Sequence, residues 1–434
     1  MIRKMIRKKS SIILSVSIAL LISFGVVAQQ QTVTEAPTGF DTPVLSLSPG
    51  VQGVSNGVVE PAGDTFALDQ AQFERRHDSS TGLGPVFNAD SCVSCHMNQV
   101  VGTASHFTEV RAGHLDLNGN FVNPSIPVSD GAATISGRSI VNDRAICEAA
   151  QEHLPDSENV RTQRAVLSVL GDGFVEAVED ITLQTLAANQ PAQSNGLIHG
   201  EAIVIPVLEA PGQTMVGRFG WKDQQPTVLS FAGDAYLNEM GVTNHVRPND
   251  VTSICKTGAN QNAIEDTPDS IGMADVDHFA QFIRATMAPP RDAALAATPD
   301  AIAGQAAFNS IGCVTCHVDT LVTARPGTVI AGGTYTVPAA IGNKMIHPYG
   351  DFLLHDVGTG DGIVQAGPAD TANKIRTAPL WGLHIKSRFM HDNESHSVTN
   401  AIQRHAGEAA GVISGFNALS QQQQQQIVTF LNSL

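Results

Sequence analysis

Cys92-Val93-Ser94-Cys95-His96 and Cys313-Val314-Thr315-Cys316-His317 are two copies of one pattern, C-x-x-C-H, and their reading decides the rest of the chain. In this pattern each thiol forms a thioether with one vinyl group of a haem, and the adjacent histidine gives an axial nitrogen to the iron. A thioredoxin-like redox pair needs a βαβ setting and no following histidine, and a zinc site would have to join the two motifs across the chain. The pair therefore predicts two covalently bound haem c groups. Cys92, Cys95 and His96 would hold the first, and Cys313, Cys316 and His317 the second.

Working outward to the beginning, Arg3, Lys4, Arg7, Lys8 and Lys9 precede an apolar run from Ile12 to Val27. At 16 residues the run is shorter than the ~20 of a bilayer-spanning helix. Val26 and Ala28 suit a small-residue cleavage site. Residues 1–28 are expected to be a signal peptide, with an uncleaved anchor as the alternative. The mature chain would then be periplasmic, with no stable membrane span. The whole chain has 25 Lys+Arg against 41 Asp+Glu, a net charge of −16, and losing the five leader cations leaves 20 against 41, or −21. Such an acidic protein disfavours nucleic acid and anionic lipid and attracts basic partners.

The chain has 434 residues, long enough for two or three domains. Its 42% apolar and 15% charged residues support a buried core and exclude intrinsic disorder or a multi-span membrane protein. Fifteen histidines against 5% aromatics suit a core built partly around a prosthetic group. Cys147 and Cys255 form an even pair in an oxidising compartment, which favours a structural disulfide over buried free thiols.

Thr298-Pro299-Asp300 supplies an N-cap with proline at the first helical position, and Gly304, Phe308 and Gly312 lead from it into Cys313. Ile427, Phe430, Leu431 and Leu434 form one stripe of a closing amphipathic helix, with the glutamine tract as its solvated face. Pro289 and Pro290 mark a linker. The expected domains are 29–295, an N-terminal haem domain with insertions, and 296–434, a cytochrome c-like domain. Helical patterns are expected at 142–153, 160–170 and 175–188, and a short hairpin at 197–208. The expected fold is mainly α: two cytochrome c-like domains with small β insertions. Asp116-Leu117-Asn118-Gly119-Asn120 has Phe121 where a calcium loop requires glycine, and reads as an ordinary turn.

Several segments carry a family resemblance. They are Gly82 to Asn88, Gly217-Arg218-Phe219-Gly220-Trp221-Lys222, Pro348 to Gly358, Arg376 to Gly382, and Ala401-Ile402-Gln403-Arg404-His405-Ala406-Gly407-Glu408. With them the chain resembles the bacterial di-haem oxidoreductases, which are similar to the di-haem cytochrome c peroxidases. The resemblance covers nearly the whole mature chain and implies two facing haem domains, one haem passing electrons and the other meeting peroxide.

It also implies site residues. In the superfamily a His-Asp-Gly is followed, fourteen positions after the histidine, by a ligand of the electron-transfer iron, usually methionine. Here His391-Asp392-Asn393 leads at that spacing to His405, so His317 and His405 would ligate the second iron, against the alternative of an ordinary hydrogen-bonded histidine. Pro226-Thr227 followed by Glu239-Met240 fits the position of the peroxidases' distal glutamate, although the Trp-Asp-Gly expected between them is absent. Glu176 is the weaker alternative carboxylate. His114 and His106, 18 and 10 residues after His96, offer a removable sixth ligand for the first iron. The family's interdomain calcium site is not carried over, because Lys386-Ser387-Arg388 stands where Thr-x-Pro is needed. Trp221 and Trp381 are candidates for a relay between the haems, or for packing.

The leading functional expectation is a periplasmic enzyme that reduces hydrogen peroxide with electrons from a small donor protein of cytochrome c or cupredoxin type. The alternatives are a non-enzymatic di-haem electron carrier and a di-haem oxidase of another substrate.

Overall fold

The helix Pro299–Ser310 starts where the Thr298 hydroxyl accepts the Ala301 N–H, with proline at the first turn. It lies against the closing helix Gln421–Leu431, capped by Ser420. The contact is close at Gly304, where an added Cβ would stand 1.9 Å from the Gln426 carbonyl oxygen. Phe308 meets Phe430 edge-on at 5.3 Å, and the two helices bury a cluster with Tyr349, Leu383 and Phe416. These elements come from a computed structural model that describes residues 32–39, 55–98, 100–256 and 264–434. The expected leader, residues 1–28, lies outside the described residues. Among the described residues no helix is long and apolar enough to cross a membrane.

The expectation of a mainly α fold is overturned. Of the described residues 32% are helical and 16% strand, the strands being spread over many small sheets. The largest sheet among the described residues centres on the strand Thr108–Leu115, which pairs antiparallel with Val160–Ala165 from Thr108↔Ala165 to Gly113↔Val160, and also with Ile140–Val141 and Phe121–Val122. Expected as helices, 142–153 is instead loop with the short strand Arg144–Ala145 and a single 3-10 turn, Glu148–Ala150, and 160–170 opens with the sheet strand Val160–Ala165. Val160 to Ala165 carries an alternation that satisfies a strand once a partner exists, and the partner is some fifty positions upstream. The third expected helix is present as Asp172–Glu176 and Asp180–Gln193. The hairpin pairs Val204–Pro206 with Thr214–Val216, so its second strand lies beyond the expected segment. Asp116 forms a turn, its Oδ1 accepting the N–H groups of Asn118 and Asn120 at 2.8 Å.

The principal hydrophobic core takes residues from both sides of position 295, among them Phe73, Phe282, Ile346 and Trp381. Phe73, on the helix Phe66–Glu74, packs on Phe282 at 4.8 Å and Phe279 at 6.2 Å, both from the helix Asp275–Ala285. Cys147 and Cys255 are joined by a disulfide with Cα atoms 6.4 Å apart, beside Val86, Val128 and Ile135.

Candidate functional site

Each C-x-x-C-H motif forms a single tight turn, Cys92–Ser94 or Cys313–Thr315, with the histidine N–H donating to the first cysteine's carbonyl at 2.9 Å (His96) and 3.0 Å (His317). Gly312, at φ +96°, reverses the chain between the Pro299–Ser310 helix and the second turn, a conformation suited to glycine. The turns set two thiols and an imidazole on the wall of one cleft each.

The cleft beside the second motif has a volume of ≈ 220 Å³ and is lined by Cys313, Cys316, His317 and His405 with apolar neighbours such as Leu383 and Ile402. His317 directs Nδ1 to the Tyr349 carbonyl at 3.1 Å, and His405 directs Nδ1 to the Ala401 carbonyl at 2.8 Å. Donation from Nδ1 leaves the lone pair on Nε2 of each ring. Their ring centroids are 6.4 Å apart with planes at 63°. Two metal–imidazole bonds of about 2 Å, with about 1 Å from nitrogen to centroid on each side, require roughly 6 Å. Burial, then the neighbouring His405, pushes the His317 pKa down to about 4, and burial lowers that of His405. Both are thus kept as neutral, metal-competent imidazoles. The donor set and the ring separation fit a haem iron.

The other cleft, ≈ 160 Å³, is lined by Cys92, Cys95, His96, Glu109, Arg111 and Glu239 among others. Burial pushes the His96 pKa down to about 4, only partly opposed by the Leu167 carbonyl, and His96 Nδ1 has no hydrogen-bond partner that meets a good geometry. Of the residues lining this cleft His96 alone is a histidine. Two thiols and a neutral imidazole again fit a haem. Glu239 comes from the last turn of the helix Val228–Met240, whose N-cap is Thr227. Its Oε2 accepts from Asn88 Nδ2 at 2.8 Å. Burial, and then the charge of Glu109 to which it is hydrogen-bonded, hold the Glu239 carboxyl well above the usual range. Burial is the largest influence on Glu109 and acts to raise it, but Arg111, with Nε 2.5 Å from its carboxylate, the hydrogen bond to Glu239 and the charge of Arg164 together hold Glu109 below the usual range. At neutral pH the pair is therefore one acid and one carboxylate, with the proton on Glu239.

Glu109 and Arg111 were not singled out in the sequence. Both lie on the strand Thr108–Leu115, where alternation turns residues 109 and 111 to one face. The same alternation sends His114 to the opposite face, where its Nδ1 meets Glu158 at 2.7 Å. His114 does not line the first cleft, and its expected role as a ligand there is corrected. His106 bonds Ser387 at 2.8 Å and lines the second cleft instead. Glu176 lines neither cleft. It is fully buried, pairs with Arg284 at 2.6 and 2.8 Å, and caps Val228 N–H at 2.8 Å. These bonds use both of its oxygens, so the weaker alternative carboxylate is a structural one.

Trp221 lines both clefts, with Nε1 donating to the Ala165 carbonyl at 2.7 Å and its ring 6.1 Å from His391. Lys222 beside it is buried, with Nζ donating to the carbonyls of Thr371, Ala372 and Lys374 at 2.6–2.9 Å. Trp381 lines neither cleft and packs in the main core.

Two clefts, each with a pair of thiols and a neutral imidazole, and one shared tryptophan define a two-centre redox protein. Residues 141–434 match the family described as "Di-haem oxidoreductase, putative peroxidase", and the chain belongs to that family. The second C-x-x-C-H falls inside the matched span and the first precedes it. No curated protein matches the chain in sequence. Among solved structures the chain is similar to Kuenenia stuttgartiensis hydrazine synthase, with 14% identity over 87% of this chain and 96% of that one and a TM-score of 0.35. It is also similar to a MauG-like protein associated with microbial copper homeostasis, with 14% identity over 50% of this chain and 71% of that one and a TM-score of 0.31.

Proposed function

We propose that the chain is a periplasmic di-haem c-type peroxidase that reduces hydrogen peroxide to two waters, taking two electrons singly from a small donor protein of cytochrome c or cupredoxin type. The observation that carries this reading is Glu239, a buried acid in the same cleft as Cys92, Cys95 and His96. Haem attached at the two motifs supplies irons that accept and pass single electrons.

The protein's own groups then divide the work. Asn88 fixes one oxygen of Glu239, and burial with the neighbouring charge of Glu109 keeps the proton on Glu239 at neutral pH against the opposing pull of Arg111. The acid form of Glu239 can give its proton to the departing peroxide oxygen, which leaves as water, and the carboxylate so formed can take up the proton of the other oxygen. His317 and His405 would hold the second haem between them, which would leave that centre to electron passage. Trp221 is the aromatic side chain common to the linings of both clefts, and so is the candidate for the path between them. The Cys147–Cys255 disulfide and the expected leader support an oxidising, extracytoplasmic setting. The acidic charge of the chain favours a basic donor.

Peroxide turnover with a panel of small donor proteins tests the proposal. Turnover that falls with Glu239→Gln while both haems stay attached supports it. Absence of turnover with every donor contradicts it and favours the electron-carrier alternative.

A further inference from the structure

Away from both clefts, Glu60, Asp64 and Asp69 converge with His278 where the start of the helix Phe66–Glu74 meets the helix Asp275–Ala285. The side chains of Asp64 and Asp69 are fully buried. Asp69 Oδ1 accepts from His278 Nδ1 at 2.7 Å, and Asp64 Oδ1 accepts the Thr65 N–H at 2.8 Å. The other oxygens, Asp64 Oδ2 and Asp69 Oδ2, are buried with no hydrogen-bond partner, and so is Glu60 Oε1. Ligand atoms of Asp64, Asp69 and His278 all lie within 4.8 Å of one another. Buried carboxylate oxygens that face each other unpaired are costly unless a proton or a cation stands between them.

We propose that this cluster is a Ca²⁺ site, with Asp64, Asp69 and Glu60 as oxygen ligands and His278 orienting Asp69 from behind. Calcium bonds of about 2.3–2.6 Å place ligand atoms up to roughly 5 Å apart, and those of Asp64, Asp69 and His278 lie within that reach. The donors on offer are hard carboxylates. The imidazole is already engaged by Asp69 through Nδ1 and by Asp269 at 3.4 Å through Nε2, which leaves little for zinc. The competing occupant is a shared proton: burial, and then the charges of Asp64 and Glu60, push Asp69 up to about 9. Either occupant ties the two helices whose Phe73, Phe279 and Phe282 stand behind His96, with Phe73 6.0 Å from its ring.

The test uses the purified haem-loaded protein: elemental analysis after dialysis, and thermal unfolding with CaCl₂ or EGTA. The expected result is one Ca²⁺ per chain, a melting temperature raised by CaCl₂ and lowered by EGTA, and loss of both responses in Asp69→Asn and in Asp64→Asn. Without calcium, Asp69→Asn should melt no lower than the wild type, because the proton that takes the cation's place leaves a neutral side chain there in both. A wild type that binds no Ca²⁺ and ignores EGTA overturns the proposal in favour of the shared proton. Stoichiometric zinc or manganese overturns the choice of calcium, and variants that keep the wild-type response place the ion elsewhere. If one variant is not recovered, the other and the wild-type titration decide. None of these readouts depends on peroxide turnover.

Discussion

His317 and His405 stand ring to ring across the second cleft, centroids 6.4 Å apart, each with Nδ1 held by a backbone carbonyl. A histidine merely packed on a helix face has no reason to meet the C-x-x-C-H histidine at the distance of two metal bonds. His405→Ala should therefore convert one low-spin haem to a high-spin or water-ligated form and leave the other unchanged. His405→Met should keep it low-spin and raise its reduction potential, because methionine in place of imidazole raises it. Visible spectra and a redox titration read both.

Glu239 titrates above the usual carboxylate range because of burial first and Glu109 second. In the proposed function its acid form is the proton donor, so turnover should fall as pH rises through that elevated value. Glu239→Gln should lower turnover about 10²- to 10⁴-fold and remove this alkaline limb. Glu109→Gln removes the second cause of the shift, so it should move the limb to lower pH. A pH–rate profile of the three proteins checks the sign, and a limb that stays in place in Glu109→Gln refutes the coupling.

How much of this was legible in the sequence follows the range of the interactions. The Thr298 cap, the Pro299–Ser310 helix and the closing amphipathic helix are local patterns, and they stand in the structure as expected. The two motifs are equally local. The sheet was not legible, because Val160–Ala165 becomes a strand only by pairing with Thr108–Leu115. Glu109 escaped notice for the same reason: its meaning depends on strand alternation and on Glu239, which comes from a distant helix. His114 was misplaced because closeness to His96 along the chain says nothing about which face of a strand it occupies.

The Cys147–Cys255 disulfide spans 108 positions. Replacing both cysteines by serine should cost about 2–5 kcal/mol of stability by freeing the unfolded chain, as measured by denaturant unfolding. Haem content should not change, since neither cysteine lines a cleft.

Gly304 leaves no room for a side chain, since a Cβ would stand 1.9 Å from the Gln426 carbonyl oxygen. Gly304→Ala should separate the two helices and cost about 1–3 kcal/mol. The second cleft should feel it most, because Phe308 on the same helix lies 6.0 Å from the His317 ring. Thermal unfolding followed in the visible haem band would show the loss.

In the proposed function the two centres differ: one would be closed by His317 and His405, and the other, bordered by His96 and a protonated Glu239, would be open to peroxide. Electron paramagnetic resonance of the purified protein, ferric and half-reduced, tests it most directly. The account predicts one low-spin haem that is altered by His405→Ala, and a second haem that is high-spin, or becomes so on half-reduction. Two haems that stay low-spin in both states would contradict it.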